Sequence, residues 1–181
     1  MFEPIKLRPD ETDVRVTPLS PDGDAQGEFG ALLALWRAKC RAGGLPSRAD
    51  FGPAEVKPML PRLLFIEIRR EPPDFRYRLT GTGSRDIHGV ELTGRSILDI
   101  RPAEHGRRLW NDLCRLYRDH QPQFRRLEFV NQDGRSRSYS VLRLALAADG
   151  ATVDNVMVLN DFGQGASARD GARPAMAGLY A

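Results

Sequence analysis

Cysteine, histidine and lysine are scarce in this 181-residue chain, and each shortage excludes something. Cys40 and Cys114 are the two cysteines, too few for a disulfide framework and not a CxxC pair. A structural zinc site needs about four ligands, so none is expected. The three histidines, His88, His105 and His120, make no HxxxH or HExxH pair. There is no GxSxG nucleophile elbow and no phosphate-binding P-loop. Gly81-Thr82-Gly83 opens like a dinucleotide fingerprint, but Arg85 and Asp86 follow and the third glycine is missing. No apolar run approaches the roughly 20 residues that a membrane span needs. The first residues, Met1-Phe2-Glu3-Pro4-Ile5-Lys6, lack the basic-then-apolar order of a secretory signal, so the expected address is the cytoplasm.

Lysine occurs three times among 27 basic residues, at Lys6, Lys39 and Lys57; the other 24 are arginine. That skew reads as codon usage in a GC-rich genome. The acids are interspersed, and a net charge of +3 gives modest steering toward anions at most. Nucleic-acid binding would have to use Arg107, Arg108, Arg115, Arg118, Arg125 and Arg126. A solvated, salt-bridged face accounts for these residues better.

With 41% apolar and 28% charged residues the composition is that of an ordinary globular protein. The length suits one domain with extensions. Residues 1–27 are rich in Pro, Asp and Gly and read as an extended arm, with only a weak Val14-Arg15-Val16 alternation. Residues 28–162 form the domain. Residues 163–181, rich in Gly, Ala and Ser, read as a flexible tail.

Within the domain, Phe29, Leu32, Leu33, Trp36 and Cys40 make one helical stripe over 28–41, closed by Gly43-Gly44 and Pro46. The stripe suits either the chain's own core or a dimer interface built on Phe29, Leu32, Leu33 and Trp36. A short helical turn is predicted over 53–59. Leu64, Ile66 and Ile68 share one face of a strand, and Phe75, Tyr77 and Leu79 one face of the next. A short helix is expected over 85–89. A longer one over 103–120 has Leu109, Leu113, Leu116 and Tyr117 as its stripe, flanked by Trp110 and Cys114. Strands over 124–130, 136–147 and 153–161, joined by Asp133-Gly134 and Asp149-Gly150, make an antiparallel meander. The order predicts an α+β domain: one antiparallel sheet with helices on one face. Leu142, Leu144 and Leu146 alternate with an outer row of Tyr139, Val141, Val156 and Val158. A sheet apolar on both sides needs a second cover, and the Trp36 helix is the candidate.

This order of elements resembles a PAS domain and, more narrowly, the stand-alone PAS-type family of alphaproteobacteria. The resembling pieces are the Trp36 helix, Leu45-Pro46-Ser47-Arg48-Ala49-Asp50-Phe51, Leu60-Pro61, Phe75-Arg76-Tyr77-Arg78-Leu79-Thr80-Gly81-Thr82, Leu92-Thr93-Gly94-Arg95-Ser96 and Leu159-Asn160-Asp161-Phe162. The resemblance implies about five antiparallel strands with helices enclosing a small pocket. It also implies sensing or protein–protein interaction, often as a homodimer, with no particular ligand.

For a pocket of that kind, Tyr77, Leu79, Trp110, Leu142, Leu144 and Met157 are the expected wall. Tyr77 or Trp110 would supply a polar handle, and Arg95 would pair with an anionic ligand. The alternative, and the commoner case, is that these residues simply fill a dry core. A haem would need His88 or His105 as axial ligand. A flavin photosensor would need its reactive cysteine in an Asn-Cys-Arg-type motif, from which Asp112-Leu113-Cys114-Arg115 departs. Neither cofactor is expected. The reading is a non-enzymatic sensory or interaction module that binds a small apolar or anionic ligand and signals to a separate partner protein, since 181 residues leave no room for an output domain. The alternatives are a weak nucleic-acid binder and a small enzyme acting on a hydrophobic substrate, with His88 and Asp86 or Asp99 as its acid–base pair.

Overall fold

A computed structural model describes residues 15–41, 43–82, 91–100, 103–130 and 136–161. Six antiparallel strands make one sheet: β1 (Arg15–Leu19), β2 (Leu63–Arg70), β3 (Pro73–Thr80), β4 (Gln123–Val130), β5 (Ser136–Leu146) and β6 (Asn155–Asp161). Their order across the sheet is β1-β4-β5-β6-β2-β3. Among the described residues the α-helices are α1 (Gly27–Lys39), α2 (Pro53–Val56) and α3 (Ala103–Asp119). Short 3-10 turns follow α2 at Lys57–Arg62 and precede α3 at Ile97–Asp99.

The arm predicted over 1–27 is partly built into the sheet. Its residues Arg15 to Leu19 pair with β4, and Val16 and Leu19 alternate onto opposite faces, each against one apolar cluster. The expected short helix over 85–89, the Asp133-Gly134 turn and the tail over 163–181 lie outside the described residues.

Helices cover both faces of the sheet, as two apolar faces demand. One face carries Leu64, Ile66 and Ile68 of β2, Phe75 and Tyr77 of β3, Val141 and Ala145 of β5, and Val156 and Val158 of β6. It packs under α3 through Trp110, Leu113, Cys114 and Leu116. The Phe75 and Trp110 rings meet edge to face at 5.0 Å. Gly106 lets α3 close in, since a Cβ there would stand 2.7 Å from the Ile97 carbonyl. The other face carries Leu63, Phe65, Phe124, Leu142, Leu144, Leu146, Met157 and Leu159, under Leu32, Leu33 and Trp36 of α1 and under Phe51, Val56 and Met59.

This assignment corrects the predicted one. The two rows of the meander are exchanged: Val141, Val156 and Val158 face α3, whereas Leu142, Leu144 and Leu146 lie under α1. Strand register decides it. Leu64 pairs with Val158 and Ile66 with Val156, which ties the valine row to the β2 face that α3 covers.

The Trp36 stripe is used within its own chain. Leu32 is 0% exposed, Leu33 3% and Trp36 7%, and the Trp36 indole donates a 2.8 Å hydrogen bond to the Ala145 carbonyl. Phe29 stacks obliquely on Phe124, 4.8 Å between centroids. The surface predicted for dimer contact is therefore taken up by the chain's own sheet. Glu28 and Arg62 pair at the start of α1, and Lys39 reaches Glu55 at its end.

The Asp149-Gly150 segment also differs from prediction. It is no two-residue hairpin, for β5 ends at Leu146 and β6 begins at Asn155, opposite it. The intervening loop is held by residues 45–46: Leu45 donates to the Gly150 carbonyl and Ala147 to the Pro46 carbonyl. Gly150 supplies a φ of +77°, and Asp149 Oδ1 accepts from the amides of Ala151 (2.9 Å) and Thr152 (2.7 Å).

Two outcomes follow. Trp36→Phe keeps one aromatic ring, deletes the indole donor and leaves part of its buried space unfilled, so unfolding free energy should fall by about 1–3 kcal/mol, read as a lower urea midpoint at unchanged slope. The amides of Thr152 and Ala151 hold the Asp149 carboxyl down at about 2 against the usual 3.8. Its stabilising contribution is complete above that usual value and is lost as pH falls through about 2. A carboxyl-carbon NMR titration should find Asp149 still ionised at pH 3, and an ordinary midpoint would contradict the loop geometry.

Candidate functional site

Three pieces of the family resemblance, Leu60-Pro61 and the segments over 75–82 and 92–96, meet at the outer edge of β3. There the chain over 92–96 runs back along the strand: Gly94 donates to the Tyr77 carbonyl (2.7 Å), and Tyr77 donates to the Arg95 carbonyl (3.0 Å). Gly94 has a φ of +85°, a conformation that L side chains rarely adopt. Ser96 donates from Oγ to Asp74 (2.6 Å), and Arg76 pairs with Asp74 (2.8 Å) while reaching the Gly94 carbonyl (2.9 Å). A Cβ on Gly81 would collide with the Leu60 and Pro61 carbonyls. These residues close the edge of the sheet and place the turn that leads to α3. The backbone of Arg95 does this work, and its side chain is exposed.

The seven residues predicted to line one pocket do not come together. Tyr77 and Trp110 lie in the cluster between α3 and the sheet. Leu142, Leu144 and Met157 lie in the other cluster, beneath α1. Leu79 is 42% exposed. Ile66 pairs with Tyr77 but Phe65 pairs with Leu79, so Arg78 is an extra residue, and this bulge turns Leu79 away from Tyr77's face. The residues beside Tyr77 and Trp110 are instead Ile66, Phe75, Leu92, Ile97, Val156 and Val158.

This interface also has a charged half, which no motif in the sequence announces. Arg143 of β5 points at α3 and is buried, as is Asp112 of α3. Arg143 Nη1 lies 3.0 Å from Asp112 Oδ2, and Arg115 Nη1 lies 3.3 Å from Oδ1. Gln123 of β4 joins them: its Nε2 donates to the Asp112 carbonyl (2.6 Å), and its Oε1 accepts from Arg143 at 3.4 Å. Next along β4, Arg125 lies half-buried on the same face. Burial draws its guanidinium below the usual arginine value; Asp112 opposes this, and Arg143 and Arg115 add to it. Tyr139, two residues before Val141, is raised by burial, with Arg143 and Arg108 pulling down and Asp112 pushing up. One signal in the sequence could have found the set: Arg143 interrupts the apolar row of Val141 and Ala145.

The six arginines that a nucleic-acid interface would need do not share a face. Arg107 pairs with Glu104, Arg115 with Asp112, Arg125 lies under α3, and Arg126 is exposed on the opposite side of β4. Of the acid–base pair considered for an enzyme, His88 and Asp86 lie outside the described residues, and Asp99 caps its own turn by accepting from the Ser96 amide. His105 is half-buried in the first turn of α3, and Cys114 packs in the apolar cluster. Burial raises the Cys40 thiol above its ordinary value, which disfavours the nucleophilic thiolate. Among the described residues no group of three or more His, Cys, Asp or Glu could hold a metal ion.

Removing one member of a buried ion pair leaves the other uncompensated, at about 3–5 kcal/mol, whereas replacing both with apolar side chains is often neutral or stabilising. Asp112→Leu alone should therefore lower stability by about that amount, and adding Arg143→Met should recover most of it. Urea unfolding of the two single variants and the double variant reads this coupling. Additive losses would mean that the two charges do not act as a pair.

No curated protein sequence matches this chain. Among solved structures, the light-state structure of the blue-light photoreceptor Aureochrome1 LOV is similar at 13% identity and a TM-score of 0.45, covering 62% of this chain and 88% of that one. A fungal LOV domain photoreceptor gives 16% identity and a TM-score of 0.43, covering 78% and 95%. The PAS domain of an HTR-like protein from Haloarcula marismortui gives 13% and 0.39, covering 60% and 88%. The model of the PAS domain family matches residues 27–159, from the first residue of α1 into β6 and thus well over half of the chain. On that match, the chain belongs to the PAS domain family.

Proposed function

We propose that this PAS domain is a non-enzymatic sensory module that holds a small ligand between α3 and the sheet and passes the signal to a separate partner protein. The observation that carries this reading is the Asp112–Arg143 pair, buried at 3.0 Å between helix and strand. Buried charge is a poor way to stabilise a small core, because the desolvation cost can exceed the Coulombic gain. It suits an interface whose two sides respond to an added charge or hydrogen bond. The same interface is apolar at its β2–β3 end, around Phe75, Tyr77 and Trp110, and polar at its β4–β5 end, around Asp112, Gln123 and Arg143. A ligand with an apolar body and a polar head matches that gradient. A partner or a second copy would have to dock elsewhere than on Leu32, Leu33 and Trp36, which are buried in their own chain.

The test is native mass spectrometry of the purified protein beside a denatured run of the same sample. Added mass on the native protein that disappears on denaturation is the expected result. A bare native mass, unchanged after incubation with cell extract, would count against the ligand-sensing part of the reading and leave an interaction role.

A further inference from the structure

We propose that the margin between the second half of α3 and β4 is a binding site for a small oxyanion, a carboxylate or phosphate group, held by Arg125 and Arg115 with Arg143 behind them. The proposal rests on the sensory reading above and gives its ligand a polar head. Among the described residues, the guanidiniums of Arg115, Arg125 and Arg143 converge here on the carboxylate of Asp112. Asp112 spends both oxygens on its neighbours, Oδ2 on Arg143 and Oδ1 on Arg115. Arg125 donates from Nη1 to the Phe124 carbonyl at 3.4 Å, and among the described residues no ion pair joins it to Asp112, whose field reaches it. Arg125 lies opposite Val141 and Arg143 opposite Gln123, so the two arginines are diagonal neighbours on one face, with Cα atoms about 7–8 Å apart. An oxyanion with two or three acceptor oxygens bridges guanidiniums at that spacing, and the planar fork of arginine presents paired donors to it.

The burial gradient gives the site its direction. Arg143 is buried, with 5% of its side chain exposed, Arg125 is half-buried, and Arg115 is 48% exposed. An anion can therefore enter from solvent past Arg115 and meet Arg125, already partly stripped of water. Charge excess is the driving force. The fields acting on Arg125 come from Asp112 on one side of the balance and from Arg143 and Arg115 on the other. An added anion relieves that repulsion, and in doing so competes with Asp112 for Arg143 and Arg115. Occupancy would thus loosen the tie between α3 and β5, which is the link between binding and conformation that a sensor needs. This site replaces Arg95 as the anion partner, since Arg95 stands exposed beside Gly94 at the far edge of the sheet.

The experiment titrates the full chain with inorganic phosphate and, separately, with succinate, holding ionic strength constant with sodium chloride. The readouts are calorimetry and the arginine Nε–Hε NMR signals. At least one of the two anions should saturate with a Kd below about 1 mM, and Arg125 should shift more than the exposed Arg126. Which anion binds more tightly identifies the head group as phosphate or carboxylate. Arg125→Gln should weaken binding about tenfold or more, and Arg126→Gln less than about twofold. Arg115→Gln, at the solvent-facing end, gives the same reading if the Arg125 variant does not fold. Equal losses from the Arg125, Arg115 and Arg126 variants would mean diffuse surface attraction and would overturn the site, as would no saturable binding of either anion. A ligand seen by native mass spectrometry together with failure here would leave the sensory reading standing and remove only this site.

Discussion

A sheet that is apolar on both faces must be covered twice, and most of this structure follows from that constraint. Six strands present a valine- and isoleucine-rich face to α3 and a leucine-rich face to α1. Neither face could be left to water in a chain of this size without an exposed patch of several hundred Å², which invites association. Helix α1 therefore belongs to the core as fully as α3 does. Its tie to β5 is both apolar, through Leu32, Leu33 and Trp36, and polar, through the indole bond to the Ala145 carbonyl. The two sheet edges are managed separately. The 92–96 segment lies along β3, and β1, five residues long and interrupted by Pro18, ends the other side.

Against that apolar background the charged half of the α3 interface stands out. Asp112, Arg143 and Gln123 satisfy one another by hydrogen bonds, which makes their burial tolerable. Stability alone would be served as well by apolar side chains of similar volume. Arg125 increases the contrast, because it adds a partly desolvated positive charge where the Asp112 carboxylate is already engaged by Arg115 and Arg143. A helix joined to a sheet by competing charges can be repositioned by a ligand, whereas a helix joined only by close-packed side chains has less to exchange.

The pieces that mark the chain as a PAS domain serve its architecture. Gly94 makes a turn with positive φ, Gly81 fits against the Leu60 and Pro61 carbonyls, and Ser96 with Arg76 locks onto Asp74. Such residues close the outer edge of the sheet. The charged groups buried between helix and sheet lie elsewhere, on α3, β4 and β5.

Local sequence determined the elements. Helical spacing marks α1 and α3, alternation marks β2 to β6, and the proline pair at 58 and 61 confines α2 to one turn. These signals are short-ranged, because each depends only on which side of a helix or strand a residue falls. Sequence could not say which apolar row met which helix, because both rows of the meander are apolar. Only the register of Leu64 with Val158 and Ile66 with Val156 settled that, and it placed Leu142, Leu144 and Met157 on the side away from Tyr77 and Trp110. A single extra residue at Arg78 turned Leu79 out of the predicted wall. The pairing of Asp112 with Arg143, 31 positions apart, exists only because α3 crosses β5 at that point. Periodicity fixes faces within an element, and tertiary structure decides which faces meet, because pairing between distant segments depends on their register and packing together.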